Sequence, residues 1–323
     1  MGPEGDGEAV TDRPPAVSIE HLTKRLGNGV TAVDDLSLTV GPGQVMGLVG
    51  PNGSGKTLTL KVLLGLVRPT GGRASIFGQP VRPGARVLGR VGALVGGPGF
   101  VPYLSGRRNL DLACRQMRLS GGRPDLEAAV LATGLGADID RPTSEYSHGM
   151  GYRLGLAQAL LGTPDLLLLD EPTTGMDPAQ VIEVRTAIAE RVALGTTVVL
   201  SSHHLAEVEE VCTHAAVLRG GRLVASGPME QLVGGTDRVR LEVDDADRAA
   251  TVLESLPGVS GVERSGSGAV VAQGDSLRAV DLVDRLDAVG VTVTALRPGN
   301  FEDTYLDLFE GGRDTPSAPF PTP

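Results

Sequence analysis

Residues 50 to 57 read Gly50-Pro51-Asn52-Gly53-Ser54-Gly55-Lys56-Thr57, and they constrain this chain more tightly than any other stretch. They match G-x-x-x-x-G-K-[ST] at every fixed position. The context fits too. Residues 44–49 before the motif form a short apolar strand. Residues 58–66 after it place Leu60, Leu63 and Leu64 at helical spacing. A strand, a glycine-rich loop and a helix start together make a phosphate cradle, because loop amides and the positive end of the helix dipole face the anion. Gly53 and Gly55 let the backbone approach without a side chain in the way. Lys56 is expected to reach the β- and γ-phosphates, and the Thr57 hydroxyl to ligate Mg²⁺. The predicted nucleotide contacts therefore run from Gly50 through Thr57 to Leu58, at the start of the helix.

A second motif follows about 110 residues later, in the order a phosphate-binding enzyme needs. The apolar run Leu166-Leu167-Leu168-Leu169 ends in Asp170-Glu171-Pro172. A buried strand that merely surfaces would read the same in isolation. Beside a phosphate loop, Asp170 is expected to hold Mg²⁺, directly or through water, and Glu171 to polarise a water for attack on the γ-phosphate.

Composition narrows the class. The chain has 323 residues, 41% hydrophobic and 21% charged, as in ordinary globular proteins. Its net charge of −10 argues against a broad nucleic-acid surface. Cys114 and Cys212 share no metal-type spacing and suit a reducing cytoplasm. No apolar run approaches the roughly 20 residues that span a bilayer, so a membrane role requires a separate membrane chain. Residues 1–15 and 311–323 are rich in Gly, Pro and acid or in Pro, and are expected to be disordered tails.

Between the tails the pattern changes twice. Residues 17–20 and 36–40 alternate like short antiparallel strands around Gly27-Asn28-Gly29. Segments 74–77 and 91–95 add two strands, and about 99–161 is mostly helical. Strands at 166–169 and 196–200, joined by a helix near 179–193, give a β-α-β rhythm and hence a parallel sheet. Residues 236–310 then run β-α-β-β-α-β, the ferredoxin-like order, and a last helix starts near Asn300 with Tyr305, Leu308 and Phe309 on one stripe.

Further motifs stand in order around these. Tyr146-Ser147-His148-Gly149-Met150 precedes the acidic strand; Gly175-Met176-Asp177-Pro178 follows it; Ser201-Ser202-His203 ends the next apolar strand. The set resembles the signature sequence, the D-loop and the switch-histidine segment of ABC transporter ATP-binding subunits, across residues 17–230. The tail of the second region, Asn300-Phe301-Glu302-Asp303-Thr304-Tyr305-Leu306, resembles the extension of the daunorubicin-resistance type of export subunit. The resemblance implies an α/β P-loop NTPase (RecA-like) ABC cassette with an antiparallel β subdomain and a helical subdomain, spanning 16–232, plus a small α+β ferredoxin-like domain at 236–310.

It also implies a mechanism. Two such subunits stack head to tail as a homodimer. Each ATP lies between one phosphate loop and the partner's signature segment, here Ser147, His148, Gly149 and Met150, with Asp177 as the D-loop acid. His203 touches the γ-phosphate and joins Glu171 in catalysis, whereas His21, His204 and His214 are expected to be surface or structural residues. The cofactors are ATP and Mg²⁺, the second partner is a membrane permease on a separate chain, and the location is the inner face of the cell membrane. No nucleic acid is involved.

Three positions depart from the family pattern. Leu26 stands where an aromatic stacks on adenine, a loss of about 0.5–1.5 kcal/mol of contact. Gly96 stands where a glutamine ligates Mg²⁺ and faces the permease, unless the register is off by a residue or two. The signature reads His-Gly-Met rather than Gly-Gly-Gln. A low-turnover regulatory subunit that uses ATP to dimerise is therefore the alternative. Soluble ABC proteins of translation or repair carry two cassettes or a long coiled coil, and this chain has neither.

Overall fold

The computed structural model describes residues 13–27, 29–97, 99–119, 125–131, 134–233, 238–265, 268–274 and 279–310. Most of the two expected tails, 1–12 and 311–323, and the expected helix break at 121–124 lie outside the described residues.

β1 (Val17–Arg25) and β2 (Thr31–Val40) alternate buried and less buried side chains and pair antiparallel, Val17 opposite Val40 and Arg25 opposite Thr31. Both run longer than the alternating runs of the sequence, because bulges absorb the residues that break the alternation. β3 (Val45–Val49), fully buried, leads into the phosphate loop and α1 (Lys56–Leu63). β4 (Gly71–Ile76) pairs with β1, β5 (Gln79–Pro80) pairs back on β4, and β6 (Val91–Leu94) follows. The helical stretch resolves into α2 (Gly106–Leu119), α3 (Leu126–Leu131) and α4 (His148–Leu160), with tight 3-10 turns at Gly136–Asp140 and Thr143–Glu145. Then come β7 (Leu166–Asp170), α5 (Pro178–Ala193), β8 (Thr197–Ser202), α6 (Leu205–Val211), β9 (His214–Arg219), β10 (Arg222–Pro228) and α7 (Met229–Val233).

β2-β1-β4-β5 form one sheet; a six-stranded sheet runs β10-β9-β3-β8-β7-β6. β3 and β9 are parallel, as the β-α-β rhythm requires. β10 is antiparallel to β9. Only Gly220 and Gly221 separate the two, both at positive φ, and a two-residue turn returns a strand antiparallel.

By packing the chain divides into two compact units. The first draws on 1–44, 57–168 and 175–198 and holds the antiparallel sheet and the helical group, whose core includes Leu110, Cys114, Ile139, Leu154 and Leu161. The second draws on 45–56, 169–174 and 199–323. Within it, α6 lies very close to β3. A Cβ at Gly47 would stand 2.5 Å from a Val208 methyl and 3.0 Å from the Cys212 sulfur, so only glycine admits this approach.

The second unit also contains β11 (Arg238–Val243), α8 (Ala246–Glu254), β12 (Val259–Arg264), β13 (Ala269–Gly274), α9 (Ala279–Asp287), β14 (Val293–Pro298) and α10 (Phe301–Glu310). The sheet order β12-β13-β11-β14, antiparallel throughout, is the ferredoxin-like arrangement expected from the element order. Leu241 of β11, Val270 of β13, Leu253 of α8 and Leu286 of α9 fill its core. α10 packs on α6 and α7. Phe301 is fully buried and Tyr305 and Leu308 are half-buried, so the apolar stripe is core; the Phe309 side chain lies outside the described ones.

Candidate nucleotide site

The second unit brings together the phosphate loop, Asp170, Glu171, Ser201 and His203. The loop turns through positive φ at Gly53 (82°) and Gly55 (101°), which a side chain at either would resist. Lys56 is 6% exposed, and its ammonium donates to the carbonyl oxygens of Gly50 (2.6 Å) and Pro51 (3.3 Å). Burial lowers its pKa from the ordinary lysine value, while the charges of Glu171 and Asp170 pull it back up. A phosphate beside Lys56 would favour its charged form in the same way. The Ser54 hydroxyl is buried and has no hydrogen-bond partner within the protein. An orphaned buried hydroxyl in such a loop fits a site built for an anion.

The acids sit where β7 ends. Asp170 is 7% exposed and accepts a hydrogen bond from the Ser201 hydroxyl at 2.7 Å. The next residue, Glu171, adopts φ +51, a conformation that costs a non-glycine residue energy and marks functional sites. Its amide is held by both the Ser201 carbonyl and the Ser201 hydroxyl, each at 3.1 Å. The strained turn projects the Glu171 carboxylate to His203, whose Nδ1 lies 2.7 Å from Oε2. An Nδ1–H tautomer would donate to the carboxylate across this contact. His204 stacks on His203 with ring centroids 4.0 Å apart.

Thr57 and Leu58 follow Lys56 in the first turn of α1 and fall in the first unit, as do residues 147–150 and Asp177 at the starts of their own helices. Ser147 caps α4, its hydroxyl accepting from the Met150 amide at 3.2 Å. His148 and Gly149 open that helix, and the His148 ring lies against Tyr152 with centroids 4.8 Å apart. Asp177 caps α5, accepting from the Gln180 amide at 2.9 Å. The two helix starts meet: a Cβ at Gly149 would lie 2.6 Å from the Gln180 amide oxygen. Among the remaining histidines, His21 bonds Asp35 at 2.8 Å and His214 bonds Thr213 at 2.9 Å.

Among the described residues no group of three or more His, Cys, Asp or Glu side chains could hold a metal by itself. Asp170 carries a carboxylate and Thr57 a hydroxyl, each a hard oxygen donor of the kind Mg²⁺ prefers. The hydrogen-bonding roles of Ser201 and Thr173 escaped sequence reasoning, although Ser201 stands in the switch-histidine motif. Ser201 is wholly buried at the end of an apolar strand, and a buried hydroxyl needs a partner; that was its signal. Thr173 donates to Glu207 of α6 at 2.5 Å, a contact with no sequence signature.

Comparison with known proteins agrees. The ABC transporter family matches residues 33–174. The bacitracin transport ATP-binding protein BcrA of Bacillus licheniformis is 30% identical over 307 residues, 92% of this chain and 98% of that protein. The daunorubicin/doxorubicin resistance ATP-binding protein DrrA of Streptomyces peucetius is 38% identical over 252 residues, 76% of each. The solved structure of an ATP-binding subunit of an ABC transporter superposes with a TM-score of 0.61 at 25% identity, over 67% of this chain and 91% of that one. The chain belongs to the ATP-binding subunits of ABC transporters. It binds ATP and, as a member of that family, is an ATPase.

Proposed function

We propose that the chain hydrolyses ATP at the site built by residues 50–58, Asp170, Glu171 and His203, and that it works as a homodimer to drive export through a separate membrane permease. The carrying observation is the Glu171–His203 pair, held at 2.7 Å in the same unit as the phosphate loop. Lys56 and the loop amides bind the β- and γ-phosphates. Mg²⁺, held by Thr57 and Asp170, would neutralise phosphate charge as the terminal phosphoryl leaves. Glu171 orients and polarises the attacking water, and His203, bonded to Glu171 through Nδ1, turns Nε2 toward the γ-phosphate. Ser147, His148, Gly149 and Met150 at the start of α4, with Asp177 nearby, cover the ATP of the second subunit.

The cassette spans 16–232 and the accessory domain 236–310. The names of the relatives, bacitracin transport and daunorubicin/doxorubicin resistance, support a hydrophobic antibiotic as the exported compound. No described helix is long and apolar enough to cross a membrane, so the translocation path belongs to the permease. Tyr103, 80% exposed on the helical group, is a candidate contact for it; Phe100 instead packs partly into that group's core. The protein then sits peripherally on the cytoplasmic face.

Two observations favour the low-turnover reading. Gly96, at φ +79, offers no side chain to the metal, and Leu26 is an exposed aliphatic where an aromatic would stack. Steady-state hydrolysis separates the two. Glu171→Gln is expected to bind ATP and form a stable dimer but to lose hydrolysis by about a thousandfold, whereas Lys56→Ala loses ATP binding itself. Near wild-type turnover in Glu171→Gln, measured by phosphate release, would remove Glu171 from the role of base. Wild-type ATP affinity in Lys56→Ala would reject the cradle.

A further inference from the structure

Helix α6 begins just after His203 and makes two contacts of opposite direction. Glu207 and Glu209 stand two positions apart, which on a helix points them about 200° from each other. Glu207 accepts from the Thr173 hydroxyl, two residues beyond Glu171. Glu209 accepts, at 2.9 Å, from the backbone amide of Phe301, the first residue of α10. Val208 between them is wholly buried against Gly47 of β3, the strand that enters the phosphate loop. One short helix therefore touches the hydrolytic turn, the strand of the phosphate loop and the C-terminal domain.

The far end of this link is firmly anchored. Asn300 and Asp303 cap α10 reciprocally, each side chain accepting from the other's amide at 3.0 Å. Asp303 is 1% exposed and pairs with Arg240 of β11 at 2.8 Å and Arg297 of β14 at 3.1 Å. The start of α10 is thus fixed to the ferredoxin-like sheet. Its exposed amide dipoles meet the Glu209 carboxylate, the favourable sign for a helix N-terminus.

We propose that Glu209 is a positioning residue for ATP hydrolysis: through α6 it lets the C-terminal domain hold His203 and the Glu171–Thr173 turn in working register. This rests on the reading of Glu171 and His203 as the hydrolytic pair. Among the described residues Glu209 makes no hydrogen bond or ion pair with a residue of the nucleotide site, so its loss acts on turnover and not on ATP binding. A glutamine retains an accepting oxygen for the Phe301 amide; an alanine does not.

The test uses the full-length protein. Glu209→Ala is expected to lower kcat by about five-fold or more with KM for ATP within about two-fold, and Glu209→Gln to restore kcat to within about two-fold of wild type. Thr173→Val, which cuts the other end of the link, should lower kcat similarly, and the double variant Thr173→Val/Glu209→Ala should lose no more than the worse single variant. The proton resonance of the His203 ring, assigned with His203→Gln, should shift in Glu209→Ala and not in Glu209→Gln. That readout decides the matter even at negligible turnover. Wild-type kcat and an unmoved His203 resonance in Glu209→Ala overturn the proposal, as does a Gln variant as impaired as Ala. If Glu209→Ala does not fold, Glu209→Asp, one methylene shorter, takes its place with the same expected losses. Hydrolysis surviving in Glu171→Gln would instead overturn the assignment of the pair, a separate result in the same assay.

Discussion

At the scale of single residues, the site is governed by a buried hydroxyl as much as by its acids. Ser201 donates to Asp170 and accepts from the Glu171 amide, so one side chain orients the Asp170 carboxylate and steadies a strained turn. Ser201→Ala is expected to cost about 1–3 kcal/mol in denaturant unfolding, since the carboxylate loses a buried donor. It should also slow hydrolysis, because Glu171 loses one of the two oxygens that hold its amide. Unchanged stability and turnover would show that the Ser201 carbonyl suffices. The two thiols give a second expectation. Burial alone pushes the Cys212 thiol up to about 12, and burial raises the Cys114 thiol as well. Thiolate is the reactive form, so a thiol reagent at mildly alkaline pH should leave both cysteines of the native protein unlabelled and label both after unfolding. Rapid native labelling of Cys212 would contradict its packing against Gly47.

Among the elements, α10 carries the most organised polar contacts outside the nucleotide site. Its capping pair was legible at Asn300; of the partners of Asp303, Arg297 lies on the strand just before the helix, and Arg240 comes from a strand 63 positions away. Asp303→Ala leaves two arginines facing a buried, uncompensated site and removes the reciprocal cap. A loss of about 3–5 kcal/mol is expected, and it should be read in the transition of the C-terminal domain. A variant as stable as wild type would mean that water replaces the carboxylate. Other elements followed from local chemistry. Ser147 and Asp177 are ordinary N-caps by residue type, and each starts its helix as its sequence suggests. β10 was less legible, since its orientation depended on recognising Gly220-Gly221 as a two-residue turn.

At the scale of the whole molecule, the C-terminal domain packs through α10 on α6 and α7 of its own unit, and removing it would uncover that face of the two helices. A chain ending at residue 235 is expected to bind ATP within about three-fold of wild type yet to turn it over about five-fold more slowly, and nucleotide titration beside phosphate release would show this split. Full turnover in that truncation would leave the domain with no part in catalysis. The phosphate loop, the acidic strand end, the order of the later motifs and the β-α-β-β-α-β rhythm are all legible along the unfolded chain. Each of these is written in residues that are neighbours along the chain, where periodicity, turn chemistry and motif spacing act. Only the tertiary structure decided that Glu171 takes a left-handed turn against Ser201, that His203 meets it at 2.7 Å, and that Glu209 ties α6 to the helix beginning at Phe301. Those pairings join residues 30 to 92 positions apart, and what selects them is the burial of polar groups that must find partners once the sheets have closed.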